Sequence, residues 1–159
     1  MRRQSATNIA FKYEQSISLS MHKSEPKSLS LENIFRFICE LENESFDYNS
    51  FRLIYDKNIR NLENYYFVAF DIDKIVGFIS YHTQELLHHC GRVGEIQELF
   101  VDKDYRNNGI GKFLINEIEK ISRINNIKSI EVTSNVKRIE NVDFYQKMGF
   151  VKTHNKFTK

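Results

Sequence analysis

Apolar residues fall at helical spacing in two parts of this chain and crowd into strand-like runs between them. Ile17-Ser18-Leu19-Ser20-Met21 alternates with period two and predicts a short first strand, after which Pro26 marks a break. Leu31, Ile34, Phe35, Ile38 and Leu41 then recur three and four apart. Ser30 stands just ahead of them, and Asn33 occupies the place where a capping box prefers Glu, so a helix is predicted over about 31–44. A second helix over about 48–61 has Phe51, Ile54, Tyr55 and Ile59 on its inner face. Tyr65–Asp71, Lys74–His82 and Gly94–Val101, rich in Phe, Ile, Val and Tyr, read as strands. The polar connection Asp71-Ile72-Asp73-Lys74 has the length of a hairpin turn, although it lacks glycine, and the three runs predict an antiparallel meander.

Helical spacing returns with Ile110, Leu114, Ile118 and Ile121, while Glu117, Glu119, Lys120 and Arg123 face water. Ile127–Thr133 is predicted as a strand, Ile139–Met148 as a short helix stopped by Gly149, and Phe150–Phe157 as a final strand. This order predicts an α/β domain over residues 17–159, with a mixed, mostly antiparallel central sheet and helices on both faces. Residues 1–16 are polar, carry Arg2, Arg3 and Lys12, and offer little to bury beyond Ile9, Phe11 and Tyr13; they read as a loosely held extension.

Composition narrows the function classes. The chain has 159 residues, 41% of them hydrophobic with 13 Phe and 8 Tyr, enough to fill one core. Its formal charge is +2 and its cations are scattered, so the concentrated basic face of a nucleic-acid binder is not expected. No apolar run approaches the roughly 18 residues of a membrane span and no signal-peptide core follows Met1, which points to the cytoplasm, away from membranes and secretion. Cys39 and Cys90 are too few for a disulfide framework or a zinc site.

Chemistry concentrates where Leu99-Phe100-Val101 runs into Arg106-Asn107-Asn108-Gly109-Ile110-Gly111-Lys112, an apolar strand end followed by a glycine-punctuated loop that opens a helix. Such a loop aims main-chain N–H groups and the positive end of the helix dipole at one point, which suits a phosphate. Glycine at 109 and 111 allows positive φ and close approach of an anion to the main chain. The spacing is neither the Walker loop nor the dinucleotide G-x-G-x-x-G, and an ordinary strand-to-helix turn can carry it too.

The R-x-x-G-x-G spacing resembles the pyrophosphate loop of the GCN5-related N-acetyltransferases (GNAT). Phe144-Tyr145-Gln146-Lys147-Met148-Gly149-Phe150 is similar to the F-Y-x-K-x-G-F block that closes most members. Within that superfamily, residues from about 34 to 159 resemble the aminoalkylphosphonate N-acetyltransferases. The residues that carry this are Ile38-Cys39-Glu40-Leu41, Phe46-Asp47 with Phe51-Arg52, Leu87-His88-His89, Gly94 to Leu99, Ser134 to Arg138 and Lys156-Phe157-Thr158-Lys159. The first 30 residues match poorly. Arg138 departs from the Asn usual in the wider superfamily but agrees with the phosphonate subgroup.

The resemblance implies the GNAT fold, acetyl-CoA as co-substrate and the primary amine of a small molecule, an aminoalkylphosphonate, as acceptor. It implies that the main chain of Leu99, Phe100 and Val101 pairs with the pantetheine arm and that Arg106 through Lys112, including Asn107, Asn108 and Ile110, take the pyrophosphate. Glu95 is expected as the base, acting through a water, with Glu98 as a substrate or metal contact. Three apart on a strand, the two point to opposite faces unless a bulge intervenes. Tyr145 is expected as the acid for the leaving thiolate, since a phenol with pKa near 10 can give up and regain a proton. Arg52 and Arg138, with Lys137 assisting, are expected at the phosphonate, which calls for charge-assisted bonds. A core strand at 99–101, solvated carboxylates, a packed tyrosine and surface arginines are the bland readings of the same residues.

The resemblance also implies dependence on a divalent metal. His82, His88, His89 and His154 are available, but their spacing matches no dedicated site. Two alternatives stay open: the same chemistry on an aminoglycoside, polyamine or protein lysine, and a non-catalytic acetyl-CoA-binding domain. The acceptor segments lack the acidic cluster that a polycationic aminoglycoside calls for. The oligomeric state is open, a homodimer included.

Overall fold

A computed structural model of the chain describes residues 9–14, 29–72 and 74–159. Five strands form one sheet in sequence order: β1 (Ile9–Glu14), β2 (Asn64–Asp71), β3 (Lys74–Leu86), β4 (Gly91–Val101) and β5 (Ser129–Val132). The first three pairings are antiparallel and β4–β5 is parallel, so the sheet is mixed and mostly antiparallel, as expected. The parallel pair needs a crossover, and α3 (Ile110–Ile124) supplies it. α1 (Leu29–Glu42) and α2 (Tyr48–Asn58) precede β2, and α4 (Ile139–Lys147) follows β5.

Helices cover both faces. On one face Ile110, Leu114, Ile115 and Ile118 of α3 bury against Phe67, Ile79, Tyr81 and Ile96. On the other, Ile34 and Phe37 of α1 bury against Tyr66, Val68, Phe78 and Phe100, with the Phe37 and Phe100 rings stacked 4.5 Å apart. Gly94 is required by packing, because a Cβ there would fall 1.9 Å from the buried Tyr81 hydroxyl. Among the described residues no helix is long and apolar enough to cross a membrane.

Four expectations need correction or adjustment. Ile54 does not face inward: it is 60% exposed, while Phe51, Tyr55 and Ile59 pack on the α1-side cluster. A single short helix at the rim has only one contact edge, and Ile54 lies off it. Residues 150–157 form no strand; Val151 and Phe157 are 78% and 90% exposed. Their alternation satisfies the local pattern, but a strand exists only where a neighbour completes its hydrogen bonds. The amino-terminal strand lies at Ile9–Glu14, inside the stretch read as an extension, and pairs with β2 from Ile9↔Asp71 to Glu14↔Tyr66. The strand expected at 17–21 lies outside the described residues.

Candidate active site

The sheet opens where the site forms. The β4–β5 ladder ends at Ile96↔Val132, while β4 continues to Val101. Beyond Ile96 the edge formed by Leu99, Phe100 and Val101 has no β5 partner, so main-chain groups there are available to an extended ligand. Side chains anchor this edge from both layers: Phe100 is buried on the α1 side, and Leu99 and Val101 pack on the α3-side core.

The glycine loop follows a single 3₁₀ turn at Lys103–Tyr105. Gly109 caps α3 with φ +81°, and a Cβ there would meet nothing within 4 Å, so the space in front of the helix is open. Asn107 also has positive φ, 62°. The first intrahelical bond runs from Phe113 N–H to the Gly109 carbonyl (2.9 Å), which leaves the N–H groups of Ile110, Gly111 and Lys112 ahead of it for an outside acceptor. Arg106 donates to the Val101 carbonyl at 3.1 Å and lies over the Phe100 ring, tying the loop to the strand end. Gly111 does a different job from the one expected. It sits within α3 without positive φ, and a Cβ there would come 3.1 Å from the Phe144 ring, so its bareness lets α4 approach α3.

A bulge brings the two carboxylates together. Ser80 pairs with Glu98 and Tyr81 with Ile96, which leaves Gln97 as the extra residue; His82 then pairs with Glu95. Ser80 and His82 are two apart, so Glu98 and Glu95 share a face with them. Glu98 is the desolvated one. The buried Ser80 hydroxyl donates to its carboxylate, and the Glu98 N–H donates back to Ser80 Oγ at 3.2 Å. Burial holds the Glu98 carboxyl above its ordinary range, the Ser80 bond opposes this, and the Glu42 charge adds to it. Glu95 accepts from Thr133 Oγ1 at 2.9 Å and Gln97 Nε2 at 3.2 Å. Tyr66 and His82 share a hydrogen bond of 2.9 Å beside them; burial raises the phenol and lowers the imidazole.

Tyr145, on α4, is half-buried between Phe144 and Phe150, with ring centroids at 5.2 and 5.6 Å. Burial pushes its hydroxyl up to about 12, and the nearby Arg138 charge opposes that shift. Arg138, at the α4 N-cap, donates to the Leu41 carbonyl and lies 3.3 Å from the Glu42 carboxylate, both at the end of α1. Glu98 and Glu95 thus share one face of β4, and a chain of charges runs from Glu98 through Glu42 and Arg138 to Tyr145, whose ring packs on the α3-side core. Arg52 is not part of it: that side chain is 63% exposed and pairs with Asp56 at 3.8 Å. Lys137 is exposed as well.

Sequence reasoning missed Ser80, Tyr66, His82 as a site neighbour, and Glu42. Tyr66 and Ser80 lie opposite Glu98 by strand register and His82 two residues along β3, while the bulge at Gln97 turns Glu95 to the same face; a register between distant strands is not announced locally. Next to Glu95 a cleft of about 340 Å³ is lined by the carboxamides of Asn58, Asn61, Asn64, Gln84 and Gln97 together with His82 and Thr83. The His88 and His89 rings lie 4.4 Å apart, tilted at 55°, and His89 lies 3.6 Å from Glu131. Among the described residues no group of three or more His, Cys, Asp or Glu could hold a metal ion, so the side chains present do not fit a dedicated metal site.

The sequence model of the acetyltransferase (GNAT) family matches residues 31–150. The chain belongs to the GNAT family. It is an N-acetyltransferase, and acetyl-CoA is the donor of its family. Its relatives include an aminoalkylphosphonate N-acetyltransferase from Salmonella typhimurium, 34% identical over 128 residues, covering 80% of this chain and 83% of that one. A glucosamine 6-phosphate N-acetyltransferase from Candida albicans is 30% identical over 67 residues, 42% of this chain and 43% of that one. In fold the chain is similar to a transcriptional regulator from Bacillus halodurans C-125, with TM-score 0.79 and 16% identity over 95% of this chain and 98% of that one.

The GNAT loop fits its donor. The open space before Gly109 and the unspent N–H groups of α3 suit a pyrophosphate, and the unpaired edge after Ile96 suits an extended arm. Asn108→Asp adds a negative charge at an exposed position next to Gly109 without disturbing either glycine, and the helix dipole tolerates it. The expected outcome is a folded variant whose acetyl-CoA affinity falls about tenfold, equivalent to roughly 1.4 kcal/mol of repulsion. Calorimetry checks it, and unchanged affinity rejects the loop as the pyrophosphate site.

Proposed function

We propose that this enzyme transfers the acetyl group of acetyl-CoA to the primary amine of a small aminoalkylphosphonate by direct attack of the amine on the thioester. The observation that carries the reading is that two opposite charges meet through the end of α1: the desolvated Glu98 carboxyl, which the Glu42 charge helps to raise, and the Arg138 guanidinium, 3.3 Å from the Glu42 carboxylate. Glu98 takes the base role, because its burial raises it toward a useful value, whereas Glu95 is held by Thr133 and Gln97 on the acceptor side. When bound, acetyl-CoA supplies an activated acetyl thioester. The free main-chain edge of Leu99–Val101 orients the arm and offers an N–H to the carbonyl oxygen as charge develops there. Glu98 removes a proton from the ammonium, and the Tyr145 hydroxyl, protonated across the neutral range, delivers one to the leaving sulfur. Arg138 binds the phosphonate, and no step runs through a metal.

The experiment is release of thiol from acetyl-CoA with 2-aminoethylphosphonate or ethylamine as acceptor. A charged hydrogen bond is worth roughly 1.5–3 kcal/mol. The phosphonate therefore leads ethylamine in kcat/KM by at least about tenfold, and Arg138→Ala erases most of that lead. Equal rates for the two amines, with and without a divalent cation, defeat the phosphonate reading and leave the acetyltransferase intact. The carboxamide-lined cleft favours a second reading, an acceptor that carries hydroxyls beside its anion. Glucosamine 6-phosphate belongs in the same panel, and a rate above that of 2-aminoethylphosphonate selects this second reading.

A further inference from the structure

α1 ends on the sign of charge that its own dipole disfavours. Glu42 is its last residue, and no Lys or Arg stands in its last turn. The missing cation comes from far along the chain: Arg138 donates to the Leu41 carbonyl and lies 3.3 Å from the Glu42 carboxylate. The C-terminal end of α1 is thereby tied to the start of α4 beside the acceptor region. Glu42 also lies within electrostatic reach of Glu98, whose carboxyl its charge helps to raise. One side chain, about half-exposed, touches the charge balance at both ends of the acceptor.

We propose that Glu42 is a positioning and specificity-determining residue: it fixes the Arg138 guanidinium and sets a second negative charge within electrostatic reach of Glu98, so that the site selects a zwitterionic acceptor. The ammonium goes to the carboxylates and the anion to the guanidinium. Only the Arg138 half of this inference rests on the phosphonate reading. The groups around Glu98 are Ser80 and His82 from β3, Tyr66 from β2, Glu95 from β4 and Glu42 from α1. Ser80 donates to Glu98, and Tyr66 is raised partly by its charge. His82 is kept toward its neutral form by burial, with the Glu95 charge acting on it in the opposite sense. Glu42 is the carboxylate that acts on Glu98 itself.

A purely structural role makes a different forecast. If Arg138 only caps α1, Glu42→Gln leaves the Leu41 carbonyl bond in place and changes thermal stability alone. The deciding measurement is the titration of Glu98 in the full chain by carbon-13 NMR of its side-chain carboxyl, assigned with Glu98→Gln. In Glu42→Gln the Glu98 midpoint is expected about 0.5 pH lower or more, because a neighbouring negative charge has gone. Glu42→Asp restores it. In the same variant KM for 2-aminoethylphosphonate rises at least about fivefold while KM for acetyl-CoA stays put, the loss expected when a charged partner is mispositioned. An unmoved Glu98 midpoint overturns the inference, and so does a KM change shared equally by both substrates. Equal wild-type rates with ethylamine and 2-aminoethylphosphonate overturn the phosphonate reading and its Arg138 half, whereas the Glu98 midpoint still decides the Glu42 half without any turnover.

Discussion

Tyr145→Phe lowers kcat by about 10²–10⁴-fold, the range of general acid–base contributions, and leaves acetyl-CoA affinity nearly unchanged. The reasoning starts from packing. The ring lies between Phe144 and Phe150, and phenylalanine keeps those contacts, so the fold has no reason to change. Only the oxygen is lost. Burial pushes that hydroxyl up to about 12, so it carries its proton at every pH at which the enzyme is assayed. Arg138 opposes the shift, which keeps the phenolate within reach at the moment a proton leaves and is recovered from solvent. Steady-state thiol release and calorimetry on the same preparation check the outcome. Wild-type turnover in Tyr145→Phe removes this residue from the mechanism.

The elements that the chain announces are those with a long single-period signal. α3 was legible as a helix because Ile110, Leu114 and Ile118 repeat along it and a glycine loop precedes them; the meander was legible because β2 through β4 are dense in Phe, Ile, Val and Tyr. The failures share a cause. Ile54 and the stretch 150–157 satisfy local patterns, but burial and pairing depend on what stands opposite, which no local pattern contains. Phe37, fully buried against Phe100, was absent from the expected stripe of α1 because Phe35 lies next to the same arc.

The site divides in the same way. The loop at 106–112 and Tyr145 stand in compact motifs and could be named from them. The distinction between Glu95 and Glu98 could not, because it depends on one unpaired residue, Gln97, that turns both carboxylates to the same face and leaves Glu98 the more enclosed. Arg138 was expected at an anion, yet its partners at the end of α1 are about a hundred positions away and invisible along the chain.

Glu98→Gln is expected to act in opposite directions on activity and stability. A glutamine retains the shape, and its carbonyl oxygen still accepts from Ser80, but it cannot take a proton from the acceptor. The rate at neutral pH falls by about 10²–10⁴-fold, and the ascending limb of kcat/KM against pH disappears. Glu95→Gln keeps the limb, and the opposite pattern returns the base role to Glu95. Stability moves the other way, since the folded protein holds the Glu98 proton more tightly than the unfolded chain does, its carboxyl lying above the ordinary value of 4.5. Whatever Glu98 contributes to stability is fully present below that ordinary value and is lost as pH rises through the folded one. Glutamine does not ionise and suffers no such loss. Thermal melts should therefore place Glu98→Gln above wild type at pH 7, with the gap closing as pH falls below the ordinary glutamate value of 4.5. A variant less stable than wild type both at pH 7 and below that value contradicts the enclosed, reluctantly ionised carboxyl on which the proposed base depends, whereas a more stable and nearly inactive one ties the strain of ionising Glu98 to its use in catalysis.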